Sequence, residues 1–425
     1  MNAGFYVIMA AQFCSSLADN ALLVAAIALL MQADSPTWLT PYLKFFFVVS
    51  YVVLAPYVGA FADRLPKGQV MFIANTIKIA GCALMLFEVN PLAAYALVGL
   101  GAAAYSPAKY GILTEYLPPT KLVAANGWIE GLTVGSIILG TVLGGVLIHD
   151  KVAHLLLQVN VPLLDTGIDT PPEAAISVIC FVYALAAVFN LYIPRTGAPI
   201  KHLPPHPIDT LRDFAFCVTS LWKDRLGQIS LAVTTLFWGA GATLQFIVIE
   251  WSRVTLGYTL SQASILQGVC AVGIALGAVA ASMRVRLDRA VSVIPLGIAM
   301  GLVVILMNVV TNVWLAVPLI VTIGLLAGYF VVPMNALLQH RGHNLMGAGR
   351  SIAVQNFNEN TSILLMIATY SVLLAAGVSI YWVIAAFGLF VAGTMMVVKL
   401  WYAANLRRHH DEIEALLEVA RSEKH

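Results

Sequence analysis

Charged residues are scarce in this sequence. Only 10% of its 425 residues are Asp, Glu, Lys or Arg, whereas 60% are hydrophobic. Soluble domains carry about 25% charged residues, so this composition excludes an ordinary soluble domain. The net charge of +2 is too small to indicate nucleic-acid binding. We therefore predict a protein that crosses a membrane several times.

Cysteine is also rare, and no two cysteines are spaced as CxxC. Four of the five lie in apolar segments, so we interpret them as small reduced residues and expect neither a disulfide framework nor a zinc site. The sequence also has no GxxxxGK[ST] motif, which excludes a nucleotide-hydrolysing site of that type within this chain. We expect no cofactor. The five are Cys14, Cys82, Cys180, Cys217 and Cys270.

Long apolar segments make up most of the chain. A membrane-spanning helix needs about 20 apolar residues, and twelve segments meet this requirement. The first has no basic region before it and is too long for a signal sequence, so we expect it to be retained. The segments are 4–31, 41–62, 68–88, 91–113, 122–148, 173–193, 227–250, 259–283, 290–310, 313–338, 350–376 and 378–402. We predict an all-α membrane protein of twelve transmembrane helices in two six-helix bundles.

The basic residues predict the orientation, because cytoplasmic loops carry an excess of Lys and Arg. If the N-terminus is cytoplasmic, only Lys44, Lys151 and Arg253 of the 23 basic residues fall outside the cell, and Lys78 lies within a span. We therefore expect both termini to be cytoplasmic.

A proline-rich segment at 194–226 separates the two halves. We predict an N-terminal bundle at 1–193, a C-terminal bundle at 227–402 and a cytoplasmic tail at 403–425. Apolar residues at helical spacing within 208–222 predict a short helix in the cytoplasmic linker. This helix lies either on the inner membrane surface or against the bundle.

A polar stripe interrupts the first apolar segment. Asp19 is its one charge, and Gln12, Ser16 and Asn20 share the face of Asp19 at helical spacing. A carboxylate at this depth costs roughly 2.5–3.5 kcal/mol, so it should face a cavity or a partner. Two compatible interpretations remain: a site inside the membrane, and an ion pair with a lysine of another helix.

Other charges lie in or near apolar segments. Lys78 and Glu130 would lose their cost of burial in an ion pair with each other or with Asp19. Pro107 is expected to break the fourth helix, and Lys109 then either binds a phosphate or extends to the inner interface. Charged residues near the ends of later spans are expected to face water. These are Glu250, Arg350 and Glu359.

The two halves form a weak repeat at an offset of 226 residues. Ionisable residues of the first half align with amides of the second, and parallel halves around a central site are a known transporter architecture. The aligned pairs are Pro107 with Pro333, Lys109 with Asn335, Asp19 with Gln245 and Glu130 with Asn356.

The segment GAFADRLPKG at 59–68 follows the second span. It resembles the loop motif of the major facilitator superfamily, with Pro66 where the family has a second glycine. Asp63 can pair with basic residues or cap a neighbouring helix, so we expect Asp63 and Arg64 to act in gating. The alternative is that these charges only set the topology.

Five longer tracts share a closer resemblance: 12–13 with 19–22, 103–113, 237–241, 331–339 and 353–356. Together they resemble the bacterial lysophospholipid transporters. The resemblance implies inward flipping of lysophospholipids, such as lysophosphatidylethanolamine, across a Gram-negative inner membrane, and functional coupling to a cytoplasmic acyltransferase. It also places Asp19 and Lys109 in the transport path. The family's arginine in the seventh span is Gln245 here, so a fixed Asp–Arg pair is not expected.

We therefore predict a secondary transporter rather than an enzyme. The alternative is a proton-coupled exporter of drugs or small metabolites, with Asp19 as the proton carrier. A lipid-modifying enzyme is not favoured, because no nucleophile, base and metal ligands cluster in the sequence. The predicted substrate-binding residues are Gln12, Asp19, Asn20, Lys109, Gln245 and Asn356; gating residues are Asp63 and Arg64; Lys78 and Glu130 form a charge network.

Overall fold

The computed structural model describes residues 3–33, 40–158, 169–198, 206–258 and 260–421, and all regular structure in these ranges is helical. The α-helices are α1 Ala3–Gln32, α2 Thr40–Val53, α3 Ala55–Arg64, α4 Lys67–Leu86, α5 Pro91–Tyr116, α6 Leu122–Ile148, α7 Asp150–Leu157, α8 Pro171–Leu191, α9 Pro207–Lys223, α10 Gly227–Leu256, α11 Leu260–Arg284, α12 Ile294–Ile305, α13 Val313–Met346, α14 Ala348–Ala375, α15 Ile380–Arg408 and α16 His410–Arg421. Short 3₁₀ turns cover Pro119–Lys121, Leu287–Val293 and Leu306–Val309.

Within the described ranges, nine helical segments are long and apolar enough to cross a membrane, and α2 with α3 makes a tenth if counted as one bent span. The predicted all-α class is confirmed. Two further predicted spans correspond to α5 and α14, which have 26 and 28 residues but less apolar sequences. Length and hydropathy together therefore support nine of the twelve predicted spans, and ten when the bent pair is counted as one span.

Prolines act differently in different helices. The predicted span 41–62 bends by 65° between α2 and α3. Pro56 lies in the first turn of α3, where its missing N–H and its ring interrupt the helical hydrogen bonds. In contrast, α5 continues through Pro107 to Tyr116. The expectation that Pro107 breaks the helix is therefore wrong; long apolar helices tolerate proline when local adjustments satisfy the freed carbonyl groups.

The chain forms two compact units, and α5, α6, α9 and α14 each contribute residues to both. The first unit is Met1–Ile112, Gly135–Asp213 and Ala348–Ala353, and the second is Leu113–Val134, Phe214–Gly347 and Val354–His425. Part of the predicted linker, residues 199–205, lies outside the described residues. The predicted linker helix is α9; its Phe214 and Leu221 are buried, whereas Phe216 is 70% exposed.

In the first unit, α1 and α4 both pack against α8. Glycines bring α4 close to α5: a methyl group on Gly101 would lie 2.8 Å from the carbonyl oxygen of Ala74 and 2.7 Å from the side chain of Lys78. Small residues allow such close approach of helices in membranes. This packing fixes Lys78 in the interior.

In the second unit, α11 packs along α13 through glycines on both helices. A methyl group on Gly277 would collide with the backbone of Leu325, and one on Gly328 would collide with that of Ile274. The predicted tail at 403–425 is helical as far as it is described, apart from a bend at His409. Its α16 buries Ile413 and Leu417.

Candidate functional site

A buried ion pair joins α1 to α4 in the first unit. Lys78 Nζ lies 2.8 Å from Oδ1 and 2.9 Å from Oδ2 of Asp19. Lys78 is 1% exposed, whereas the Asp19 side chain is 22% exposed. The interpretation of Asp19 as the partner of a lysine from another helix is confirmed. Because the carboxylate is the more exposed member, it is the part of the pair that a ligand can reach.

Hydroxyl groups and aromatic rings support this pair. The Tyr183 hydroxyl of α8 donates to Asp19 Oδ1 at 2.6 Å, and Lys78 donates to Ser15 Oγ at 3.1 Å. The ammonium of Lys78 also lies 4.9 Å and 5.4 Å from the ring centroids of Tyr105 and Tyr183. Cation–π contacts of desolvated ammonium groups contribute about 2 kcal/mol. Lys78 therefore retains favourable contacts on several sides.

The rest of the polar stripe on α1 has mixed surroundings. Asn20 donates to the carbonyl oxygen of Ser16 at 2.8 Å, and the Ser16 hydroxyl accepts from Ser136 at 2.7 Å. Gln12 is 1% exposed, and neither end of its side-chain amide has a hydrogen-bond partner among the described residues. A buried unpaired polar group costs about 1–3 kcal/mol. Among these residues, Gln12 therefore has the most to gain from contact with a bound ligand.

Lys109 lies one helical turn beyond Tyr105 on α5. It is half-buried, and its ammonium lies 4.8 Å from the centroid of the Tyr110 ring. Because α5 continues past it, Lys109 is held on a helix rather than in a loop.

The loop motif holds the beginning of α14 within the first unit. Asp63 Oδ1 accepts from the backbone N–H of Gly349 at 2.6 Å, and Oδ2 accepts from that of Arg350 at 3.1 Å. Lys67 donates to Asp63 Oδ1 at 2.9 Å. A carboxylate in this position satisfies N–H groups that have no helical partner and complements the positive end of the helix dipole. Asp63 thus both caps a helix and pairs with a basic residue.

A second basic residue, Arg350, was not foreseen as a partner of Asp63. Arg350 Nη1 lies 3.8 Å from Asp63 Oδ2, and its Nε donates to Asp213 at 2.7 Å. The Arg350 side chain is only 13% exposed, so the expectation that it faces water is wrong. Arg64 itself is exposed at the end of α3.

The second unit contains a layer of buried amides and carboxyl groups. Asn335 of α13 donates to Glu130 Oε1 of α6 at 3.5 Å. One turn away, Asn126 and Gln339 exchange two hydrogen bonds of 2.9 Å and 3.0 Å. Glu130 is 4% exposed. The layer therefore ties α6 to α13 through polar side chains.

Two further predicted substrate contacts differ in exposure. Asn356 is 8% exposed on α14. Gln245 is exposed on α10, and its backbone carbonyl accepts from Gln267 at 2.9 Å. Gln267 was not identified from the sequence, because a lone glutamine in an apolar segment gives little signal.

A profile of the Major Facilitator Superfamily matches residues 8–359. The chain belongs to this superfamily. It is 42% identical over 381 residues to the protein named "Lysophospholipid transporter LplT" of Yersinia enterocolitica serotype O:8, covering 89% of both chains. It is 41% identical over 378 residues to the protein of the same name from Yersinia pestis strain Pestoides F, covering 89% of this chain and 88% of that one.

Solved structures agree on the superfamily fold. The human organic anion transporter MFSD10 (TETRAN) superposes with a TM-score of 0.69 at 14% identity, covering 95% of this chain and 100% of that one. A bacterial homologue of the iron transporter ferroportin, in an outward-facing state, gives 0.70 at 14% identity, covering 95% and 99%. At this identity the similarity concerns the fold alone.

This major facilitator chain also contains a buried ion pair that sequence analysis did not predict. In the second unit, Arg341 of α13 donates from Nη2 to Asp224 Oδ2 at 2.6 Å and from Nε to Oδ1 at 3.1 Å. Both side chains are less than a tenth exposed. Asp224 lies in the predicted linker, where a charge is unremarkable, so no pattern singled it out.

Proposed function

We propose that this superfamily member moves lysophospholipids, such as lysophosphatidylethanolamine, from the outer to the inner leaflet of a bacterial inner membrane by alternating access. The observation that carries the proposal is its 41–42% identity, over 89% of the chain, to proteins named lysophospholipid transporters. The similarity is too extensive to reflect a shared motif alone.

The pair of Asp19 and Lys78 suits a zwitterionic headgroup. Lysophosphatidylethanolamine carries an ammonium and a phosphate, so it offers one complementary charge to each member. The accessible carboxylate of Asp19 is proposed to meet the ammonium. Gln12 and Asn20 add amide groups to the same polar stripe.

Lys109 is proposed to bind the lipid phosphate as a point charge. Gln245 and Asn356 supply hydrogen bonds but no charge. The lysophospholipid transporters that this sequence resembles carry an arginine where this chain has Gln245. Phosphate recognition in this chain therefore depends more on Lys109.

Asp63 and Arg64 are proposed to act in gating rather than in substrate binding. The support is the capping of α14 by Asp63, a contact that holds two chain segments together by a few hydrogen bonds. The exposed Arg64 adds positive charge beside this contact.

The proposed topology has twelve spans and two cytoplasmic termini. The ten segments supported by length and hydropathy are completed by α5 and α14. Buried polar residues lower the hydropathy of α14, as expected for a helix that faces other helices. A cytoplasmic acyltransferase is the proposed functional partner, because it would consume the flipped lysophospholipid.

The proposal is tested by uptake of labelled lysophosphatidylethanolamine into proteoliposomes, with protein-free liposomes as the control. Lipid added outside is expected to become resistant to extraction only in vesicles that contain the protein. Equal rates in both preparations would contradict transport. Chemical turnover of the lipid by the purified protein would indicate an enzyme instead.

The exporter alternative requires Asp19 to carry protons. Lys78, at 2.8 Å, already compensates its charge, so this observation does not favour the alternative. Export of a small drug that collapses on addition of an ionophore would support it.

A further inference from the structure

Glu359 is a buried carboxyl group that the proposed substrate site does not use. It lies on α14 in the second unit, is 6% exposed, and forms no ion pair within the described residues. Gln355 Nε2 donates to its Oε1 at 2.7 Å, and the Thr234 hydroxyl of α10 contacts it. The expectation that Glu359 faces water is therefore wrong.

Amide groups connect Glu359 to a second buried carboxyl group. Gln355 Nε2 also donates to Asn335 Oδ1 at 3.1 Å, and Asn335 Nδ2 donates to Glu130 Oε1 at 3.5 Å. The chain of contacts thus runs from Glu359 through Gln355 and Asn335 to Glu130. All four residues are less than a tenth exposed.

One hydrogen-bond acceptor in this series of four contacting side chains is unsatisfied. Gln355 Oε1 is buried and accepts no hydrogen bond from any described residue. The nitrogen of the same amide donates to the Glu359 carboxyl group, so a protonated Glu359 would place an O–H donor beside this amide. An ionised carboxylate only accepts hydrogen bonds and cannot supply it.

A buried carboxylate without a cation is costly, and the usual remedy is neutralisation. A second carboxyl group nearby increases this cost, because like charges in a poorly screened interior repel each other. Protonation removes the charge of Glu359 and supplies the missing donor in one step. We propose that Glu359 is a reversible proton-binding site, paired with Gln355 and linked through Asn335 to Glu130.

The groups that face Glu359 from neighbouring helices are almost all neutral. Thr234 comes from α10, Asn335 from α13 and Glu130 from α6. The other acidic and basic residues of α10 and α13 form contacts elsewhere. These contacts are Glu250 with Arg253, Arg341 with Asp224, His343 with Thr114 and His340 with Asn344.

Infrared spectroscopy of the purified protein tests the site without reference to any substrate. Near neutral pH, the parental protein is expected to show the carbonyl stretch of a protonated carboxyl group, and Glu359→Gln is expected to lose it. Glu250→Gln is the matched control, because Glu250 is paired with the exposed Arg253 and should not contribute to this band. An unchanged band in Glu359→Gln would overturn the proposal.

Transport provides a second readout, which does rest on the proposed function. Parental uptake is expected to change as Glu359 titrates, by up to about tenfold per pH unit on the ionised side. Glu359→Gln should fold and lose this dependence, whereas Glu359→Asp should keep a shifted one. Equal pH profiles in all three proteins would overturn the proposal even if uptake is robust. A requirement for Na⁺ at constant pH, with no acid band, would show that the site binds a metal cation instead.

Discussion

At the scale of single residues, burial of Lys78 explains how a carboxylate is tolerated in the middle of α1. Lys78 is almost fully buried and contacts both oxygens of Asp19, so the two charges cancel locally. A zwitterionic headgroup could replace these contacts one charge at a time. Under the proposed function, the same pair would serve packing when no ligand is bound and recognition when one is.

Asp19→Asn is expected to reduce uptake strongly and also to destabilise the protein, because it leaves Lys78 buried and unpaired. Breaking a buried ion pair typically costs about 3–5 kcal/mol, and the partial exposure of Asp19 favours the lower end. Asp19→Asn combined with Lys78→Met should recover thermal stability but not uptake. Parental uptake by abundant Asp19→Asn protein would show that Asp19 is dispensable.

Lys109→Gln is expected to weaken binding of lysophosphatidylglycerol more than of lysophosphatidylethanolamine, because an anionic headgroup has no ammonium to compensate for the lost contact. Competition binding with the two lipids measures the difference. Lys121→Gln is the matched control, since Lys121 is exposed at the turn after α5. Equal losses for both headgroups would leave Lys109 as a structural anchor.

At the scale of helices, the Asp63 carboxylate caps the N-terminus of α14. Asp63→Ala removes two hydrogen bonds to backbone N–H groups and a charge at the helix N-terminus. Such caps contribute about 1 kcal/mol, and up to about 2 kcal/mol when partly buried. A change of this size alters a two-state ratio roughly 5–30-fold.

The expected result for Asp63→Ala is a shifted conformational population with unchanged lipid affinity. Accessibility of engineered cysteines measures the population, and equilibrium binding measures the affinity. Arg64→Gln is the comparison, because Arg64 is adjacent but exposed, and we expect a smaller shift. Lost affinity with an unchanged population would place Asp63 in substrate binding.

Helix positions followed from apolar segments, but the shapes of the helices did not. The same residue type has opposite effects at two positions: Pro56 accompanies a 65° bend, whereas α5 continues through Pro107. The difference depends on what surrounds each proline, and a one-dimensional pattern does not contain that information. The helix in the linker was predictable, because its apolar spacing is a local property.

At the scale of the whole molecule, charge in an apolar chain identified candidate residues but not their partners. Asp19 and Lys78 were both recognisable, because burial makes each of them costly. Their pairing depends on how α1 and α4 pack against α8, which no short segment encodes. Glu359 was misassigned for a related reason: proximity to the end of a span in sequence does not guarantee contact with water.

The distribution of basic residues predicts the orientation of the whole chain, and substituted cysteines can test it. In a background without the five native cysteines, Lys151→Cys and Arg407→Cys place thiols at exposed positions in α7 and α15. A membrane-impermeant thiol reagent added to intact spheroplasts is expected to label the Lys151→Cys variant, and to label Arg407→Cys only after lysis. The physical reason is that Lys and Arg are retained preferentially on the cytoplasmic side during insertion.

Labelling of Arg407→Cys before lysis would reverse the C-terminal orientation. If Lys151→Cys were also protected until lysis, the whole chain would be inverted. The leaflet from which the proposed substrate is taken would then be the cytoplasmic one.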